Sequence, residues 1–164
     1  MKTKTQKPIT RYLLQATYRP CDFILYWLNS DSVDFSPPYQ RGDVWGNLRK
    51  INFIKSMLMR IPIPSIIVND RWKAGWDEKY AIIDGKQRLT SLVDFFQDRL
   101  KVPAIWFDIA GGGDIVFSQL NAPEQRRFKN IPLAICEGSL KSIKEEKVVF
   151  ELINFGGVPQ GETD

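Results

Sequence analysis

A direct junction between an apolar run and an amphipathic run at residues 79–96 constrains the fold more than any other feature of the chain. The segment reads KYAIIDGKQRLTSLVDFF. Its run YAII predicts a buried strand, and the recurrence of Leu89, Leu92, Val93 and Phe96 at i, i+3, i+4 and i+7 predicts a helix. Because only a short polar step separates the two runs, the Asp-Gly pair is expected to turn the chain from strand to helix without a loop.

Further elements are predicted before this junction. Pro20 stands near the start of a helix in CDFILYWLN, VDF follows as a short strand, and Asn47 is a candidate cap for a helix in LRKINFIKSMLMR. The face of this last helix that is predicted to be buried consists of Leu48, Ile51, Ile54, Lys55 and Leu58.

Prolines and polar runs delimit the remaining elements. Pro62 and Pro64 end the second helix, SIIVN follows as a strand, and DRWKAGWDEK predicts a hairpin connection. VPAIWF and IPLAI are further strand candidates, whereas PEQRRFKN and EEKVVFELIN are predicted helices. Strands interleaved with helices predict an α+β fold, with a small mixed sheet and flanking helices.

Length and composition favour one folded domain. The chain has 164 residues, of which 43% are hydrophobic and 26% charged, which is ordinary for a globular protein with a core. No apolar run approaches the roughly 18 residues of a membrane span. The N-terminus has no apolar core of a signal peptide. A cytoplasmic location is therefore expected.

The basic charge is concentrated at the N-terminus. Residues 1–19 are predicted to form a basic arm, and residues 20–164 the domain. The arm contains no acidic residue, although the whole chain carries a net charge of only +4. Its basic residues are Lys2, Lys4, Lys7, Arg11 and Arg19. Such an arm can contact DNA phosphates, and a solvated basic tail is the alternative.

The absence of histidine restricts the possible chemistry. An HNH nuclease, a Ser-His-Asp or Cys-His hydrolase and most zinc enzymes are excluded, because each needs imidazole. Cys21 and Cys136 lie far apart without CxxC spacing, so two reduced, buried thiols are expected. Carboxylates, lysine, arginine, amides or an oxygen-bound metal remain.

The polar residues at the strand–helix junction have the composition of an anion site. The first N–H groups of a helix are unpaired donors, and Gly85 would allow a ligand to approach the backbone closely. Lys86 and Arg88 add cations, and Asp84 is a candidate helix cap or Mg²⁺ ligand. A turn with solvated polar side chains is the alternative, and the residues alone leave both interpretations open.

Two other segments carry polar residues where a functional loop is possible. Tyr39, Gln40 and Arg41 follow Pro-Pro directly, which predicts an extended loop. The alternative for Arg41 is a salt bridge to Asp43 or Asp34. Asn154-Phe155-Gly156-Gly157 follows the last predicted helix, where Asn and Gly are also ordinary stop signals.

Taken together and in order, four segments resemble the N-terminal domain family of the GmrSD restriction endonucleases: PPYQRGDVW, RIPIPSIIV, YAIIDGKQRLTSL and VFELINFGGVP. The resemblance runs from about Cys21 to Pro159. The family is similar to the ParB/sulfiredoxin fold and carries YQR…W, DGQQRLT and F-E-R-x-N-x-G-G segments. It implies binding of a nucleoside triphosphate with Mg²⁺, and hydrolysis coupled in restriction systems to DNA recognition or cleavage.

The resemblance also implies which residues form the site. Asp84, Gln87 and Arg88 are the implied catalytic residues, with Asp84 also the Mg²⁺ ligand. The implied nucleotide-binding residues are Gln40, Arg41, Gly85, Lys86, Arg88, Asn154, Gly156 and Gly157.

The sequence departs from the family pattern at two positions. Lys86 stands where the family has Gln, which retains phosphate attraction but changes the group that would position water. Leu152 stands where the late segment has Arg, so a cation that would stabilise charge developing on phosphate is missing. Many members continue to an HNH domain, which is not expected in a chain without histidine.

Three functional hypotheses follow. The leading one is a standalone nucleotide-binding domain and metal-dependent NTPase related to the nucleotide-sensing part of modification-dependent restriction systems. The second is a DNA-binding or DNA-nicking module that uses the same cleft with the N-terminal arm. The third is a non-catalytic decoy that binds a larger restriction or partner protein.

Overall fold

The computed structural model describes residues 9–42 and 44–155, and within these ranges it has seven strands and five α-helices. The strands are β1 (Gln15–Pro20), β2 (Val33–Asp34), β3 (Ile66–Asp70), β4 (Tyr80–Asp84), β5 (Val102–Pro103), β6 (Asp114–Ile115) and β7 (Pro132–Gly138). The helices are α1 (Phe23–Asn29), α2 (Asn47–Leu58), α3 (Lys86–Phe96), α4 (Ala122–Lys129) and α5 (Ile143–Phe155).

Five strands form one mixed sheet in the order β1-β7-β3-β4-β2. The pairs β1–β7 and β3–β4 are antiparallel, whereas β3–β7 and β2–β4 are parallel. Strands β5 and β6 form a separate antiparallel pair. The α+β prediction is thereby confirmed, as is the hairpin connection between β3 and β4. None of the helices in the described ranges is long and apolar enough to cross a bilayer.

Strand β1 was not predicted from the sequence. It lies at the edge of the sheet across the predicted boundary at residue 19, so part of the predicted basic arm is sheet. Arg19 pairs there with Glu137 of β7 at 3.2 Å. Five of its six residues are exposed and only Arg19 is partly buried. A strand with so little burial has no alternation of apolar and polar residues, which is the pattern that predicts strands from sequence. Residues 1–8 of the arm, with Lys2, Lys4 and Lys7, lie outside the described residues.

The two faces of the sheet bury different clusters. Adjacent residues of β4 point to opposite faces, so Ile82 belongs to the main core and Ile83 to a smaller cluster with Leu140 and Val149. The main core packs α1, α2 and α3 against one face, whereas α5 covers the other beside β4. Helix α3 is thus fixed along one face, with its first turn at the end of β4.

The predicted face of α2 was only partly correct. Ile54 is buried as expected, but Leu48 is 73% exposed, and the buried residues are Lys50, Phe53, Ile54 and Met57. Lys50 is buried because its ammonium lies 2.9 Å from Asp94, which satisfies the charge. A lysine within the buried face obscured the true i, i+3, i+4, i+7 pattern.

Two local predictions were also wrong. Asn47 does not cap α2, because it is the first helical residue and Gly46 occupies the cap position without a side-chain hydrogen bond. In VPAIWF, only Val102 and Pro103 are strand, and residues 104–107 form a 3₁₀ helix. Ala104 and Phe107 are its buried residues, and their spacing of three suits that helix.

A buried polar network joins α5 to the sheet. Glu146 is fully buried, and its carboxylate accepts hydrogen bonds from Arg71 Nε at 2.8 Å and Nη2 at 2.9 Å. It also accepts from Asn69 Nδ2 at 2.8 Å and from the Tyr39 hydroxyl at 3.0 Å. Burial, followed by the nearby Glu146 carboxylate, raises the pKa of Tyr39, so this hydroxyl stays protonated and donates.

Removal of Glu146 should destabilise the fold strongly. We expect Glu146→Ala to lower the free energy of unfolding by about 3–5 kcal/mol, because it leaves the buried Arg71 without its bidentate partner. The control Glu137→Ala breaks the partly exposed pair with Arg19 and should cost less than about 1 kcal/mol. Urea unfolding measures both, and equal, small losses would contradict the role assigned to Glu146.

Candidate functional site

The predicted site residues meet in one cleft of about 680 Å³. It lies between α2, the first turn of α3, the segment before α2 and the last turns of α5. All eight predicted site residues that are described line it, and these are Gln40, Arg41, Asp84, Gly85, Lys86, Gln87, Arg88 and Asn154. Gly156 and Gly157 lie outside the described residues.

Gly85 forms the turn between β4 and α3. It has φ +93° and occupies the cap position of α3. A Cβ there would lie 2.5 Å from Ile66 Cδ1 and 3.1 Å from Arg88 Nη2. Both the backbone conformation and the space therefore require glycine. Helix α3 begins at Lys86, earlier than its apolar pattern, so the polar junction residues form its first turn.

No side chain caps α3, so the prediction that Asp84 caps it was wrong. Asp84 instead pairs with Arg88, whose Nη2 lies 2.6 Å from its Oδ2. Arg88 also donates to the carbonyl oxygen of Pro64 at 2.6 Å, and its side chain is only 11% exposed. Arg88 thus ties the start of α3 to the segment that leads into β3.

Gln87 and Lys86 bind the segment that precedes α2. The Gln87 side-chain oxygen accepts from the N–H groups of Val44 at 3.1 Å and Trp45 at 3.2 Å, and its amide nitrogen donates to Gly42 O at 2.9 Å. Lys86 Nζ donates to Arg41 O at 2.8 Å. The first turn of α3 therefore holds this segment by four hydrogen bonds.

The YQR segment is also held from the other side. Gln40 Nε2 donates to the carbonyl oxygens of Ile82 at 2.8 Å and Ile83 at 2.6 Å. Tyr39 is held by Glu146 of the buried network. Of the two salt-bridge partners expected for Arg41, Asp34 pairs with Arg71 at 3.0 Å, and Asp43 lies outside the described residues.

Helix α2 supplies a wall of the cleft that the sequence did not predict. Arg49, Asn52 and Ser56 of α2 line it at residue spacings of three and four, and Trp45, two residues before the helix, completes this α2 wall. This helical spacing is the signal that would have revealed the wall. The apolar pattern of α2 predicts a different face, and the polar residues of this wall do not belong to it.

Within the described ranges, the lining of the cleft combines several cationic groups with one carboxylate. Arg41, Arg49 and Lys86 line it together with the first turn of α3, and Asp84 is the carboxylate. Among the described residues, no group of three or more His, Cys, Asp or Glu side chains could hold a metal by itself. The arrangement can attract an anion and supply one carboxylate to a cation that an anionic ligand brings with it.

The thiols take no part in this cleft. Cys21 is buried in the core, and its Sγ donates to Phe128 O at 3.1 Å. Burial raises the pKa of Cys21 far above its ordinary value, so the thiol remains protonated and unreactive.

The architecture defines a class: α+β domains with a polar cleft where a strand turns directly into a helix. The family model for the GmrSD restriction endonuclease, N-terminal domain, matches residues 25–164, and the chain belongs to this family. Membership supports a restriction-related role. No curated protein and no solved structure gave a match, and the likeness to the ParB/sulfiredoxin fold stays a prediction.

Substitution of Gly85 should lower the unfolding free energy much more than substitution of a glycine that has open space around it. We expect Gly85→Ala to lower the unfolding free energy by about 2–4 kcal/mol, because left-handed strain adds to a collision with Ile66. Gly113, with φ +88° and nothing within 4 Å of an added Cβ, is the matched control and should lose only about 1 kcal/mol. Thermal or urea unfolding of both variants tests this, and equal losses would contradict the close approach.

Proposed function

We propose that the cleft binds a nucleoside triphosphate through its phosphates. The observation that carries this proposal is that all eight described site residues line one cleft, which includes the first turn of α3, where no side chain caps the helix. The first N–H groups of a helix and its dipole favour a phosphate there. A volume of about 680 Å³ falls within the usual range for a small-molecule site.

Lys86 and the helix N-terminus carry the phosphate contacts in this proposal. The Lys86 ammonium donates to two neutral oxygens, Arg41 O and Ser36 Oγ, and has no carboxylate partner among the described residues. Its charge is therefore available to a phosphate. Arg88 already neutralises Asp84, so it acts mainly by holding the first turn of α3 in place.

Mg²⁺ fits this site only as a companion of the nucleotide. One carboxylate with phosphate oxygens and water is a common Mg²⁺ environment, and Asp84 would supply that carboxylate. The ion would neutralise phosphate charge when bound. We expect slow hydrolysis at most, because Leu152 stands where the family has an arginine and supplies no cation to stabilise charge developing on phosphate.

Replacement of Lys86 should weaken nucleotide binding selectively. We expect Lys86→Met to raise the Kd for a nucleoside triphosphate with Mg²⁺ about tenfold, which corresponds to the loss of one charge-assisted hydrogen bond. Isothermal titration of ATP, GTP, CTP and UTP against the purified protein measures this.

The control for this titration is Lys79→Met, which removes the same charge outside the cleft, where Lys79 pairs with Asp31. It should bind like the original protein. Absence of binding by all four nucleotides in the original protein would overturn the proposal, as would equal losses in the two lysine variants.

We also propose DNA binding at a second surface, because a separate arginine-lined depression favours it. The depression, of about 540 Å³, lies between α4 and the end of α2 and is lined by Arg60, Pro123, Arg126, Arg127 and Asn130. Arg60 and Arg126 have no carboxylate partner within residues 9–42 and 44–155, whereas Arg127 pairs with Glu124 at 2.6 Å. None of its lining residues in the described part of the chain is aromatic, so duplex phosphates suit it better than stacked single-stranded bases.

The backbone of Arg60 gives this surface a sharp test. Arg60 follows the end of α2 with φ +58°, and of the four non-glycine residues with positive φ in the described ranges, the other three are aspartates. Its N–H bonds to Met57 O, and the N–H of Ile61 bonds to Ser56 O, which is a helix-ending arrangement that favours glycine. Arginine is thus present at a position where its side chain adds backbone strain.

Arg60→Gly should weaken DNA binding without loss of stability. We expect equal or slightly higher stability, because the left-handed strain disappears, together with weaker binding of a duplex and a shallower salt dependence by about one unit in the log–log slope. Fluorescence anisotropy at roughly 50 and 200 mM salt measures this.

Lys144→Ala on α5 is the charge control for DNA binding and should change little. A truncation that lacks residues 1–10 separates this surface from the N-terminal arm. Unchanged affinity in Arg60→Gly, with a loss only in the truncation, would assign DNA binding to the arm instead.

A further inference from the structure

We propose that the α2 wall of the cleft is a nucleobase subsite, in which Trp45 stacks on the base and Asn52 reads its edge. This inference rests on the proposed nucleotide function and deepens it, because it names the part of the ligand that is not phosphate. Trp45 ends the PPYQRGDVW segment but has no role assigned to it there, and Asn52 lies outside all four family segments.

Trp45 has the position and support that a stacking platform needs. Its backbone N–H donates to the Gln87 side-chain oxygen in the first turn of α3 at 3.2 Å, which holds the residue beside the proposed phosphate site. The ring is half-buried and lines the cleft. Phe53 supports it edge-on with ring centroids 6.0 Å apart, and Arg49 Cζ lies over one face of the ring, 5.0 Å from its centroid, so a base would stack on the other face. Because the backbone of Trp45 is hydrogen-bonded and its ring is packed against Phe53, the side chain loses little conformational freedom when a base stacks on it.

Asn52 has the chemistry of an edge reader. It is exposed and lines the same cleft, three residues after Arg49 on α2. Its side-chain amide has no hydrogen-bond partner within the part of the chain that is described, although its backbone oxygen accepts from Ser56 Oγ at 3.0 Å. An amide offers one donor group and one acceptor, which is the pattern needed to hydrogen-bond a base edge.

The two residues should contribute in different ways. Stacking tolerates any base, because every base has a π-face, so Trp45 should serve all four nucleotides alike. A hydrogen-bonding amide discriminates between bases, because a mismatched edge leaves donors or acceptors unpaired. The subsite thus predicts that the base adds to the affinity of all four nucleotides through Trp45. It also predicts a preference for one base that depends on Asn52.

The experiment compares nucleoside triphosphates with tripolyphosphate, which has the phosphates and no base. We expect the original protein to bind its preferred nucleotide more tightly than tripolyphosphate, both with Mg²⁺. Trp45→Leu should weaken nucleotide binding roughly 5- to 150-fold and leave tripolyphosphate binding unchanged. Asn52→Ala should make the four nucleotide affinities more nearly equal. Titration calorimetry of the full chain measures all of these values.

Two further variants separate a subsite from a folding defect. Trp45→Phe keeps an aromatic ring and should recover most of the nucleotide affinity. Trp72→Leu changes a tryptophan that is 76% exposed and outside the cleft, and should have no effect on binding. If Trp45→Leu lowered tripolyphosphate affinity as much as nucleotide affinity, Trp45 would be a structural support and the inference would be overturned.

The remaining outcomes distinguish this inference from the function on which it rests. Equal affinity for nucleotides and tripolyphosphate in the original protein would refute the base subsite and leave the phosphate site standing. Tighter nucleotide binding that Trp45→Leu does not change would place the base elsewhere and also refute it. Absence of binding by both ligand types would refute the proposed function itself.

Discussion

The direct passage from β4 to α3 through Gly85 is the constraint on which the cleft depends. With a single residue between strand and helix, the first turn of α3 must lie at the end of β4, beside the start of β3. Ile66 fills the space that a side chain at this position would need. The close approach lets Arg88 reach back to Asp84 and across to Pro64, so the junction is locked by both packing and charge. Any longer connection would move the helix N-terminus away from the segments that surround it.

Most of the polar residues at this junction form the walls of the cleft and bind other parts of the protein. The oxygen and the nitrogen of the Gln87 side-chain amide both hydrogen-bond the backbone of the segment before α2. Gln40 donates to the carbonyl oxygens of Ile82 and Ile83 in β4. Tyr39 is held through Glu146, which belongs to α5. The loop is therefore fixed from α3, from the sheet and from α5 before any ligand arrives. Such preorganisation reduces the entropy lost on binding and makes the cleft suitable for a small anionic ligand.

The sequence predicted the structure correctly where local residue patterns determine it. It was misleading where contacts between distant residues determine which strands pair and which side chains are buried. The strand, turn and helix around Gly85 follow from local pattern alone, and the described residues that the family segments single out line one cleft. Strand β1 could not be predicted, because its ladder among the described residues is with β7, more than a hundred residues later. The α2 wall was missed because burial of Lys50 depends on Asp94 of α3, a partner that no local pattern shows. Internal partners such as Pro64 for Arg88 also depend on tertiary packing.

The charge balance of the cleft changes how the family departure at Lys86 is understood. Arg88 and Asp84 form a close pair, so together they add no net charge to the junction. Lys86 stands where the family has a neutral glutamine, and its described partners are neutral oxygens. The substitution therefore adds a positive charge at the N-terminus of α3, where the helix dipole already favours an anion. It strengthens attraction for phosphate, whereas Leu152 removes a cation on α5. Under the proposed function, the two departures together would favour binding of a nucleotide over its hydrolysis.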